Sequence, residues 1–196
     1  MGLSIHYSGS FNPSASLQDM IEEVVEIAKV YDWKYTIFET KFPEGGFHKK
    51  YNEKIYGVVL FPPSCEPAYL TFLSNGKMSS DTHLKFFGNS TNEKEQKYLY
   101  MLSTKTQYSG IKTHMLIIHL LKYLTNKYLQ TFTLTDEGSY WESGDEKLLE
   151  ITFNRYNDLL NSVADALENF PLKNRETTEE YLSRLIARVT RSDKRK

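Results

Sequence analysis

Thr131-Phe132-Thr133-Leu134-Thr135-Asp136-Glu137-Gly138-Ser139-Tyr140-Trp141-Glu142-Ser143-Gly144-Asp145-Glu146 opens the stretch that decides the fold, which runs on to Phe170. Thr131 to Thr135 alternates threonine with apolar residues, the period of a half-buried strand. An acidic turn follows, and from Asp145 the period changes. Leu149, Phe153, Tyr156, Leu160, Val163, Leu167 and Phe170 recur at steps of four and three, one apolar residue per helical turn. The spacing predicts a helix over 145–170, with Ser143 as a cap and Asp145 and Glu146 favoured at its positive end.

A stripe of that length needs cover. Ile111 to Lys127 supplies it: Met115, Leu116, Ile117, Ile118, Leu120, Leu121 and Leu124 make that helix apolar on nearly every side. Earlier in the chain, Ser16 with Asp19 reads as a capping box opening a surface helix that turns Leu17, Met20, Ile21, Val24, Ile27 and Ala28 inward. Strands are predicted at Leu3 to Ser8, Trp33 to Thr40, Ile55 to Phe61, Ala68 to Leu73 and Tyr98 to Thr104. Asn75-Gly76 marks a type I′ hairpin, so Lys77 to Phe87 is expected to return antiparallel, its regular part near His83 to Phe87. Gly88 to Lys97 reads as a polar connection. Thr177 or Thr178 caps a last helix through Val189. Together these predict a single two-layer α+β domain over residues 1–190, with a mostly antiparallel sheet of about six or seven strands and helices mainly on one face. Residues 191–196 form a charged tail.

At 196 residues, with 14 tyrosines and net charge −1, the chain has ample material for a core and no global attraction to nucleic acid or anionic membrane. Met1 to Tyr7 lacks the pattern of a signal peptide, and no apolar run is long enough to span a bilayer. A single cysteine, Cys65, excludes an internal disulfide. A cytoplasmic location is expected, without membrane contact.

Candidate chemistry is sparse. The turn 136–146 carries five carboxylates, with Tyr140 and Trp141 between them. Oxygen-rich turns can hold a hard cation, and Gly138 and Gly144 would let the backbone wrap it, but the spacing is not that of a calcium loop. Asp136, Glu137, Tyr140, Trp141, Glu142 and Asp145 are therefore the expected ligand or partner contacts. His114 and His119 share a helix but stand roughly 140° apart around it, wrong for two ligands on one face. His119 is expected at the core edge with one hydrogen bond. Cys65 lies between prolines and a glutamate, which do not activate a thiol. Arg184, Arg188 and Arg191 at steps of four and three could meet phosphates, though basic residues also suit a helix end. Tyr7-Ser8-Gly9 and Tyr108-Ser109-Gly110 each precede a helix, hinting at an internal repeat that would make Glu39 and Asp136 equivalent.

The leading expectation is a non-catalytic binding or interaction protein, its partner an unidentified protein or small-molecule ligand. A hydrolase-like enzyme dependent on a divalent cation at 136–146 is the alternative, with nucleic-acid contact through the basic last helix second. No cofactor or protein-bound metal is expected. Self-association through the stripe on helix 145–170 would give a homodimer.

Overall fold

A computed structural model describes residues 3–169 and 175–193, apart from the side chains of Ala166 and 188–193. Phe170, read above as the end of the long helix, and residues 194–196 of the expected tail lie outside it. The elements run β1 (Ser4–Phe11), α1 (Leu17–Val30), β2 (Lys34–Ile37), β3 (Tyr56–Phe61), β4 (Ala68–Phe72), α2 (Asp81–Phe87), α3 (Glu93–Tyr98), β5 (Leu102–Lys105), α4 (Gly110–Tyr128), β6 (Leu129–Asp136), α5 (Tyr140–Ser143), α6 (Glu146–Glu168) and α7 (Thr178–Asp193).

Helix and strand are mixed as the sequence periods require, but the expected single sheet of six or seven strands is two sheets of three. Their orders are β5-β1-β6 and β2-β3-β4, and every pairing is antiparallel. The reason lies at residues 77–81. Lys77 and Met78 make only isolated bridges, to Ser10 and Phe72, between the two sheets. Ser80 Oγ then accepts the His83 N–H at 3.0 Å and turns the chain into α2. A helix cap takes the chain where the return strand 77–87 was expected, so the gap between the sheets is bridged by two residues instead of a strand. Asn92 does the same for α3, its Oδ1 accepting the Lys94 N–H at 3.0 Å. The predicted strand Tyr98–Thr104 is thereby confined to Leu102–Lys105. The Asn75-Gly76 hairpin is real but is not type I′: of the two only Gly76 has positive φ, and the Gly76 N–H reaches Leu73 O at 2.9 Å. That is a three-residue loop closed by a left-handed glycine.

β1 is the central strand of its sheet. Its odd-numbered residues Ile5, Tyr7 and Phe11 are buried. Tyr7 reaches the other sheet: its hydroxyl accepts the Tyr69 N–H at 2.9 Å and lies 3.1 Å from Tyr69 O. Burial pushes that phenol up to about 12, with the Thr104 contact opposing. α1 starts where its capping box predicted, with Ser16 Oγ on the Asp19 N–H at 3.2 Å, and packs on β2 and β3. α4 packs on β6 and buries His114, Ile117, Ile118, Leu120, Leu121, Leu124 and Tyr128. The two helices are joined at the surface by Lys127 and Glu23, whose carboxylate also accepts the Tyr123 hydroxyl at 2.8 Å.

Compactness divides the chain into residues 1–149 and 150–196. In the second unit, α7 is opened by a reciprocal cap in which Thr177 Oγ1 accepts the Glu180 N–H at 3.2 Å and Glu180 accepts the Thr177 N–H at 2.9 Å. It runs to Asp193, so residues 191–193 of the expected tail are helical. On α6, Leu149 and Phe153 are buried whereas Leu160 and Leu167 are exposed. No helix among the described residues is long and apolar enough to cross a membrane. The two strand-helix-strand segments are not equivalent. Tyr7-Ser8-Gly9 lies inside β1 but Tyr108-Ser109-Gly110 leads into α4, and β2 and β6 belong to different sheets. Glu39 is exposed and bound by Lys54 Nζ at 2.7 Å, while Asp136 is buried.

Candidate functional site

The acidic turn after β6 is built around its first residue. Asp136 Oδ1 accepts the Gly138 N–H at 2.7 Å, and Oδ2 accepts those of Tyr140 at 2.7 Å and Trp141 at 3.0 Å. One carboxylate thus satisfies three backbone donors that would otherwise be orphaned where α5 begins. His114 of α4 comes up beneath it, Nε2 standing 3.0 Å from Oδ1, with both side chains fully buried. Behind the imidazole, Thr106 Oγ1 is 2.7 Å from Nδ1. The same hydroxyl donates to Leu3 O at 3.3 Å, an oxygen that also takes the Thr106 N–H at 2.9 Å.

Burial alone would push the Asp136 carboxyl up. His114, with the N–H groups of Trp141 and Gly138, outweighs that and holds it below the ordinary carboxylate value. Gly138 is fixed by space rather than by φ. A Cβ there would come within 2.6 Å of Leu149 Cδ1 and 2.9 Å of His114 Nε2. The left-handed residues of the turn are Ser139, at φ 58°, and Gly144, at φ 62°.

The remaining predicted contacts do not converge on a common point. Glu137 accepts the Ser4 N–H at 2.7 Å and stands 3.7 Å from His6 Nε2. Tyr140 is buried, its hydroxyl 3.1 Å from His119 Nε2, the single bond expected of that histidine. Trp141 packs on Phe132 with centroids 5.8 Å apart and carries Lys122 Nζ over its ring at 5.3 Å. Asp145 Oδ1 accepts the N–H groups of Lys147 and Leu148, capping α6. Glu142 is exposed. Among the described residues no group of three or more His, Cys, Asp or Glu is placed to hold a metal ion. Arg184 is held by Glu176 through two nitrogens, while the side chains of Arg188 and Arg191 lie outside the description. Burial pushes the Cys65 thiol up to about 11.

Sequence reasoning passed over two concave parts of the surface. A recess of about 520 Å³ lies beside α2, lined by Phe38, Tyr51, Ile55 and Leu84, with Glu53, Asp81, Lys85 and Asn89 among its polar residues. Its floor belongs to an apolar cluster of Ile55, Leu73 and Leu99, against which Phe38, Tyr51 and Leu84 pack. The Tyr51 hydroxyl donates to Gly88 O at 2.6 Å, and Asn52 N–H to Ser74 Oγ at 2.8 Å. These bonds tie the loop ahead of β3 to α2 and the hairpin. No local motif could have signalled the site, because its walls come from three separated segments. The nearest sequence signal is Phe47 and Tyr51 standing among lysines, and that pattern points toward a basic surface.

A second concavity, about 380 Å³, lies on the open face of the β5-β1-β6 sheet. His6, Ser8, Ser103, Thr133 and Thr135 line it, with the exposed Tyr98 and Met101. Hydroxyl pairs cross this face, Ser8 to Thr133 at 2.8 Å and Ser10 to Thr131 at 2.7 Å.

Neither family models, curated proteins nor solved structures provide a match to this chain.

Proposed function

We propose that this protein is a non-catalytic binding protein, located in the cytoplasm, that holds a small amphipathic ligand in the recess beside α2. The observation carrying this reading is the recess itself: an apolar floor of Phe38, Ile55 and Leu84 under a polar margin, with a volume typical of ligand sites. Burying an apolar ligand group there gains roughly 25 cal/mol per Å² removed from water. The polar groups then set orientation. Glu53 and Asp81 against Lys85 leave the margin one negative charge in excess, which favours a cationic head group.

The acidic turn gives less support to cation chemistry, since its innermost carboxylate already receives three N–H groups and His114.

Calorimetric titration with an alkyltrimethylammonium ion and with an alkyl carboxylate of equal chain length tests the reading. The cation is expected to bind several-fold more tightly, Glu53→Gln to narrow that gap, and Leu84→Trp to abolish binding of both. Equal heats from wild type and Leu84→Trp would place the binding elsewhere.

A further inference from the structure

Sheets end at edges, and this protein treats its edges unequally. β2, the outer strand of one sheet, is four residues long and carries Lys34. The outer side of β5 is occupied, with Glu66 Oε2 accepting the Lys105 N–H at 3.0 Å and the Glu66 N–H bonding Lys105 O at 3.1 Å. Short length, a lysine and a covering segment are the usual means of preventing edge-to-edge pairing.

β6 has none of these. From Leu129 to Thr135 it reads Leu-Gln-Thr-Phe-Thr-Leu-Thr, with no charge, glycine or proline. The Glu137 N–H donates to Ser4 O, and this fixes the phase of the ladder. Residues 131, 133 and 135 turn their backbone groups toward β1; Phe132 and Leu134 turn theirs outward. Those outward groups have no hydrogen-bond partner among the described residues. The register irregularity between Ser10 and Phe11 falls opposite Leu129–Thr131, before Phe132 and Leu134.

We propose that β6 pairs antiparallel with β6 of a second copy of this chain, about a two-fold axis at Phe132–Leu134, joining two three-stranded sheets into one of six. The strand is complementary to itself. Pairing through Phe132 and Leu134 sets odd residues opposite odd residues in every such register. With Phe132 opposite Leu134, Thr131 meets Thr135 and Thr133 meets its own copy, and the hydroxyl pairs Ser8–Thr133 and Ser10–Thr131 gain neighbours across the axis. No like charges are brought together, and a two-fold interface of this kind closes on itself. The inference is independent of the recess beside α2, which lies on the other sheet.

Sedimentation velocity of the full chain over a range of concentrations tests it, with circular dichroism confirming that each variant is folded. Wild type is expected to be a dimer. Thr131→Lys with Thr133→Lys in one chain should give a monomer, as should Thr131→Glu with Thr133→Glu. An equimolar mixture of the two should recover the dimer, because opposite charges then face each other. A monomeric wild type overturns the proposal. So does a variant that stays dimeric, which would move the interface to the exposed Leu160 and Leu167 of α6. Two monomeric variants that fail to recombine overturn it as well, and leave the edge open to an extended segment of a different protein.

Discussion

Replacing Asp136 tests the construction of the whole β6–α5 turn. Alanine there removes the acceptor of three N–H groups, at 2.7, 2.7 and 3.0 Å, and strands a buried imidazole. A buried donor left without an acceptor costs about 1–3 kcal/mol, and here three backbone N–H groups lose theirs at once. These terms share one carboxylate and do not add, so Asp136→Ala should cost about 3–5 kcal/mol. For a chain of this size that lowers Tm by roughly 6–20 °C. Asp136→Asn keeps the shape but places an amide NH₂ against a donor, and about 2 kcal/mol is expected. The pH dependence follows from the direction of the shift. The folded carboxyl lies below its ordinary 3.8, so its contribution is fully present above that value and is lost as pH falls through the folded one. Urea denaturation from neutral pH down to about pH 3 should show wild type losing stability toward acid faster than Asp136→Asn. A cost below about 1 kcal/mol for the alanine variant, or parallel acid limbs, would refute the reasoning.

Two further outcomes follow from the same structure. Ser139→Gly relieves a left-handed serine that makes no side-chain cap bond, and should raise stability by about 1 kcal/mol in the same urea assay. Any loss would mean that the Ser139 side chain contributes something unseen here. Cys65, with its thiol pushed up to about 11, is roughly a thousandth thiolate at pH 8. It should react with a disulfide reagent in the native protein far more slowly than in urea, and equal rates would contradict its burial.

The parts of the fold written in short-range periodicity were legible. α1 with its Ser16 cap, the apolar α4, the striped α6 and most strands follow from spacing alone. What escaped was set by competition between local devices. Ser80 is a good helix cap inside a segment whose apolar residues also suit a strand, and Asn92 caps a helix inside a stretch polar enough to read as a connection; nothing near either says which outcome will win. The count of sheets failed with them, since it turned on whether 77–87 could complete a strand.

The candidate sites were less legible still. Five acids in eleven residues resembled a place for a ligand, yet the first of them serves its own backbone. His114 was weighed only by its spacing to His119, and its partnership with a strand end 22 residues later has no sequence signature. A polar residue buried in an apolar helix needs a partner, and that rule alone could have directed attention to it. The recess is assembled from a strand end, a loop and a short helix, so only the fold brings Phe38 beside Leu84.

The position of β1 carries a consequence for synthesis. It precedes both of its sheet neighbours in sequence and lies between them, and Ser4 closes against Glu137, 133 residues further on. A nascent chain must therefore hold Ile5, Tyr7 and Phe11 without β5 until residue 105 has been made, and without β6 until residue 136. Ordering of sheet β5-β1-β6 waits on the arrival of its last member.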